Sequence, residues 1–220
     1  HLHAVATSVL PQRSLARTVL LACAAGISWS GLGLQLVLFL QKAPELGLGM
    51  AGGVAKYFTF MTNLTGLLVA GVFTIGAWRP TTGALRFFAS PVLNGAVLVY
   101  ALVVFLVYHF LLAGTWDPAP AWLLAAVILH YVVPASYLVY WIMLVPRGAL
   151  RWVHVASMQV FPIVYAVVIM SMGASLAGYP YPFLDVEVVG WRDALYAMAS
   201  VLAGYVLLSA VVVAVDRWRA

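Results

Sequence analysis

FASPVLNGAVLVYALVVFLVYHFLLA, residues 88–113, contains no Asp, Glu, Lys or Arg. It exceeds the roughly 20 residues that a helix needs to cross a ~30 Å hydrocarbon layer, so it reads as a membrane span. Working outward, comparable stretches lie at about 15–40, 55–77, 120–144, 152–172 and 193–215. Little chain remains between them, which leaves no room for a soluble domain. The expected fold is therefore an all-α integral membrane protein, a six-transmembrane-helix bundle forming one domain over residues 1–220. Composition agrees. The chain is 65% hydrophobic and 8% charged, with a mean hydropathy of +1.05. Soluble domains run at about half apolar and a quarter charged.

Charge sets the expected orientation. Arg13, Arg17, Arg79, Arg86, Arg147, Arg151, Arg217 and Arg219 lie at the N-terminus, in the second and fourth loops and at the C-terminus. The alternate loops hold Lys42, Lys56 and Arg192 together with Glu45, Asp117, Asp185, Glu187 and Asp193. The positive-inside rule places both termini in the cytoplasm. The net charge of +5 follows from that inner-surface bias. No basic patch with interleaved aromatics points to nucleic acid. Cys23 is the sole cysteine, which excludes an intramolecular disulfide. The first apolar run follows two arginines but is too long for a signal peptide, and reads as a retained anchor.

Within these apolar runs the polar residues carry the functional argument. Lys56-Tyr57-Phe58-Thr59-Phe60-Met61-Thr62-Asn63 puts Thr59, Thr62, Asn63 and Gly66 at i, i+3, i+4 and i+7. On a continuous helix these form one face of hydroxyls, an amide and a gap. In lipid such a row needs partners. His130 lies in another apolar run, on a face with Pro134, Tyr137 and Trp141. A desolvated histidine is held neutral and able to accept a proton, as a general base must be. A threonine hydroxyl is a weak nucleophile until such a base lies within hydrogen-bond reach. The competing explanation is a structural hydrogen bond between helices. Depth leaves the pairing open: a second helix beginning near Lys56 levels Thr62 with His130, and one beginning near Met50 levels Thr59 with it.

Other groups are secondary. His109 lies near the outer end of the third span, and with His130 forms the one conceivable haem-ligating pair. HExxH, Cys/His clusters and a GxSG serine element are all missing from the sequence, so no metal and no cofactor is expected. Tyr196, Ser200 and Gly204 share a face of the sixth span, with hydroxyls suited to an oxyanion. Gly178-Tyr179-Pro180-Tyr181-Pro182-Phe183-Leu184-Asp185 is a stiff aromatic segment, readable as an interfacial belt or as a lid over an outward-opening cavity.

Three features occur in order: Lys56-Tyr57-Phe58-Thr59-Phe60, the histidine followed by proline in the fourth span, and Tyr181-Pro182-Phe183-Leu184-Asp185 before the last. Together with the helix count, this resembles the androgen-induced and androgen-dependent TFPI-regulating family of six-helix membrane hydrolases, especially its bacterial relatives. The animal pattern has one more residue between the histidine and the proline. The resemblance implies a threonine hydrolase of lipid esters, such as fatty acid esters of hydroxy fatty acids. Thr59 falls on the family's nucleophile and His130 on its histidine. Thr62, Asn63, His109, Tyr181 and Ser200 are then expected to bind or orient substrate. The implied partners are a lipid ester and the bilayer. The alternatives are a small-molecule or lipid transporter or binding protein using the same polar face, and a structural bundle. A transporter is expected to show broken helices in matched positions of two halves, and Pro91, Pro134 and Pro162 make no such pair.

Overall fold

A computed structural model describes residues 15–78, 87–172 and 178–220. Arg13, Arg79 and Arg86 of the charge argument lie outside the described residues. All the regular structure among those described is helical. Six segments are long and apolar enough to cross a membrane: Leu15–Leu46, Met61–Trp78, Pro91–Leu112, Pro120–Leu144, Val153–Met172 and Val186–Trp218. The chain is thus a multi-pass helical membrane protein.

The first span is α1 (Leu15–Lys42), followed by a 3-10 turn closed by Gly47 at φ +69°. The second differs from the expected continuous helix over 55–77. It is preceded by a short helix, α2 (Met50–Phe58), and runs as α3 (Met61–Trp78), with an interruption at Thr59–Phe60. The third is α4 (Pro91–Val107), begun by the Ser90 cap and Pro91 and extended by a π-helical turn, Tyr108–Leu112. The fourth is α5 (Pro120–Val127), a second π-helical turn (Ile128–Val132) and α6 (Val133–Leu144). A short α7 (Val153–Ser157) and α8 (Val160–Met172) make the fifth, and α9 (Val186–Trp218), kinked at Gly190, makes the sixth.

α4 is the axis of the bundle. Its residues Asn94–Ala101 are all buried, which suits a helix that is apolar on every side. It packs against α3, α6 and α9, while α1 packs chiefly on α3. Close approach needs small residues. A Cβ on Gly31 would stand 2.6 Å from Ile128 Cγ2, and one on Gly66 would stand 2.9 Å from Leu32 Cδ2. These two contacts draw α1, α3 and the second π turn together. α8 lies at the rim instead, with Val160, Ile163, Val164 and Val167 exposed to the surroundings. Polar pairs between helices include Tyr137 Oη donating to Asn94 Oδ1 at 3.1 Å and Gln159 Nε2 donating to Ser209 Oγ at 2.9 Å. Each such bond contributes about 0.6 kcal/mol in a membrane bundle.

Candidate functional site

The interruption between α2 and α3 frees backbone groups that lipid cannot satisfy, so side chains must do so. Asn63 Nδ2 donates to Tyr57 O at 2.7 Å, closing the end of α2. Tyr165 Oη donates to Thr59 O at 2.7 Å, and Met61 N donates to Tyr181 Oη at 3.1 Å. Both phenols come from more than a hundred residues further along the chain. The Thr59 hydroxyl turns back on its own helix and donates to Lys56 O at 2.7 Å.

His130 sits on the second π turn, where Val133 N bonds Ile128 O in the wider i+5 pattern. π turns inside α-helices are frequent at functional sites. The imidazole makes two bonds. Nδ1 lies 2.9 Å from Ala126 O, and Nε2 lies 3.1 Å from Thr62 Oγ1. A carbonyl only accepts, so Nδ1 carries the proton, and the neutral ring presents an Nε2 lone pair to the Thr62 hydroxyl. Tyr108, from the first π turn, stacks on the ring at 3.9 Å between centroids and 17° between planes. The imidazole is held by a backbone carbonyl on one edge and an aromatic face on its side.

This pair lies on the shared wall of two cavities. The wider one, about 660 Å³, is lined by Gln35, Phe39, Phe60, Trp122 and the Pro180–Phe183 segment. The narrower, about 40 Å³, continues inward among Val103, Val104, Met198 and Tyr205. Thr62, Tyr108, His130 and Tyr181 border both. Lys56 Nζ donates to Gly178 O at 2.7 Å and Tyr179 O at 3.2 Å, fastening the aromatic segment over the wider cavity. Of its two readings the lid fits this position, since Pro180, Tyr181 and Phe183 turn toward the cavity. Burial pushes the Tyr181 phenol up from its ordinary value, so it stays protonated.

No protein-family model, curated protein or solved structure matches this chain. The site is therefore read from its own geometry.

The structure brings Thr62, His130 and Tyr181 together and leaves other expected residues apart. The shared face of Thr59, Thr62, Asn63 and Gly66 is divided by the interruption, so Thr59 does not join the pair with His130. Asn63 is buried but directed at Tyr57 O, and it borders neither cavity. His109 is exposed, bonds Tyr131 Oη at 3.1 Å and stacks on Phe105, outside both cavities. Ser200 is exposed and donates to Tyr196 O at 2.8 Å. It belongs to the outer surface of α9, because only one stripe of that peripheral helix (Ala194, Met198, Tyr205) is buried. The face with His130, Pro134, Tyr137 and Trp141 is buried throughout, as its spacing predicts.

Three contributors were not assigned to the site from sequence: Tyr108, Tyr165 and Gln35. Gln35 and Tyr165 are polar residues within apolar runs, but nothing local in the sequence links them to Thr62. Among the described residues no group of three His, Cys, Asp or Glu side chains converges to ligate a metal ion.

Proposed function

We propose that this chain is an intramembrane hydrolase of lipid esters, with Thr62 as the nucleophile and His130 as its base. The observation that carries the reading is the 3.1 Å contact from Thr62 Oγ1 to His130 Nε2 on a cavity wall, with Nδ1 oriented by Ala126 O. That arrangement meets the two geometric requirements of an activated nucleophile: a base within reach and a third group that fixes the base's tautomer. The apolar cavity suits acyl chains, with few polar groups to set orientation.

In the first step Thr62 Oγ1 attacks the ester carbonyl carbon while its proton passes to His130 Nε2. Collapse of the tetrahedral intermediate breaks the bond to the leaving oxygen, which takes that proton and departs as an alcohol. Water then gives its proton to Nε2 and attacks the acyl-threonine. The fatty acid leaves and the proton returns to Thr62 Oγ1. Tyr181, protonated and bordering the same cavities as Thr62, is a phenol suited to donate to a developing oxyanion. Thr59, the residue the family resemblance assigns as nucleophile, supports the site through its carbonyl in this reading. The alternating charge bias supports cytoplasmic termini, which puts the cavity toward the outer leaflet, and the family resemblance implies a bacterial plasma membrane.

The test is hydrolysis of a panel of fatty acyl esters by the purified protein in detergent, with Thr59→Ala, Thr62→Ala and His130→Ala compared at equal folding. The expected result is turnover by wild type and Thr59→Ala, with Thr62→Ala and His130→Ala inactive. Absence of turnover on every ester, or equal rates in all four proteins, refutes the proposal.

A further inference from the structure

Gln35 has no local explanation. It lies on the buried stripe of α1 with Ser28, Gly31, Leu32, Leu38 and Phe39, and is 8% exposed. Its Oε1 is buried and has no hydrogen-bond partner among the described residues. An unpartnered carbonyl in such surroundings is costly unless something supplies a donor. Other polar groups around the wider cavity have partners: Thr62 bonds His130, Tyr181 accepts from Met61 N, and Thr115 bonds Leu112 O.

Register places Gln35 beside the reacting pair. Leu32 meets α3 at Gly66. Gln35 is three residues further along α1, a rise of ~4.5 Å, and Thr62 is four residues back along the antiparallel α3, a rise of ~6 Å. Gln35 and Thr62 therefore stand nearly level, and both border the wider cavity. A ligand with its ester carbonyl at Thr62 has its alcohol part within reach of the Gln35 amide.

We propose that Gln35 makes this cavity selective for acyl esters whose alcohol part bears a free hydroxyl, of the partial-glyceride kind. That hydroxyl pairs with the Gln35 side-chain amide on the cavity wall while the ester carbonyl faces Thr62. The inference rests on the hydrolase reading of the same site and adds the class of substrate. A simple alkyl ester fills the same apolar volume but leaves the Gln35 amide without that partner. A site built around a substrate hydroxyl discriminates against an analogue that lacks it.

The experiment uses two probes with one acyl chain, monooleoylglycerol and methyl oleate. Binding of each to the full-length Thr62→Ala protein is followed by tryptophan fluorescence, since Trp116 and Trp122 line the cavity. Monooleoylglycerol is expected to bind at least about tenfold more tightly, one buried hydrogen bond's worth, with the preference lost in Thr62→Ala/Gln35→Met. In the Thr62-containing protein, Gln35→Met is expected to lower the ratio of kcat/KM for monooleoylglycerol over methyl oleate by a similar factor. Equal binding of the two lipids overturns the inference without any Gln35 variant, and so does a preference that survives Gln35→Met. Turnover of neither ester refutes the hydrolase reading, and the binding comparison then decides the Gln35 assignment alone.

Discussion

Two of the six spans are interrupted in similar ways; the first interruption borders a wide cavity and the second is tightly packed. At Thr59–Phe60 the released carbonyl of Thr59 takes a proton donor from Tyr165, and the released N–H of Met61 finds Tyr181. At Met158–Gln159, between α7 and α8, the carbonyl of Met158 accepts from Tyr100 Oη at 2.8 Å and Gln159 reaches Ser209. The backbone chemistry is alike: a phenol from another span satisfies what a broken helix leaves unbonded. The surroundings differ. Met158 is 1% exposed, and a Cβ on Gly95 would come within 3.1 Å of its Cε and 3.0 Å of Leu150 Cδ1, so the Met158 break is filled. The Thr59 break faces a 660 Å³ space with a hydroxyl and an imidazole on its wall. A broken helix in a membrane is thus no sign of function by itself. The sign is a break whose polar groups look into room for a ligand.

The largest expected effect separates the two breaks by activity. Thr62→Ala or His130→Ala is expected to lower ester hydrolysis by about a thousandfold, the usual scale for removing a nucleophile or its base, with thermal unfolding little changed. Next, Gly95→Val is expected to cost about 1–3 kcal/mol of stability through overpacking at the Met158 break. A thermal melt in detergent would read that loss, while the folded fraction keeps its turnover number.

A matched phenol pair sharpens the contrast. Tyr100→Phe and Tyr165→Phe each remove one bond to a freed carbonyl, at about 0.6 kcal/mol of stability and up to ~1.7. Tyr165→Phe is expected also to lower kcat by about tenfold, because it loosens the backbone that positions Thr62. Tyr100→Phe should leave kcat within about twofold. Equal kinetic effects from the two would erase the distinction. The effect of Thr59→Ala is expected to be as small, within about twofold of wild-type kcat/KM, because its hydroxyl faces Lys56 O.

The spans were legible because apolar length alone decides them. The interruption of the second was not. Helical periodicity runs unbroken from Lys56 through Gly66, and what divides it is a set of bonds from Tyr165 and Tyr181, distant in sequence. Periodicity also tells which residues share a face without telling which face looks inward, once every face is apolar. Ser200 and His109 fall outside both cavities for that reason. Tyr108 and His109 differ by about 100° around a helix, and the π turn aims the tyrosine at His130 and the histidine outward. His130 itself was readable, since a lone imidazole in lipid has few inexpensive positions. Its partner needed three dimensions: Thr59 and Thr62 are equivalent on a continuous helix and opposite in use on a broken one.

The most direct test is to trap the acyl-enzyme equivalent with a long-chain alkyl fluorophosphonate and locate the adduct by fragmentation of the tryptic peptide 57–86. The account predicts one adduct, on Thr62, abolished by His130→Ala. An adduct on Thr59, or labelling that ignores the loss of His130, would contradict it.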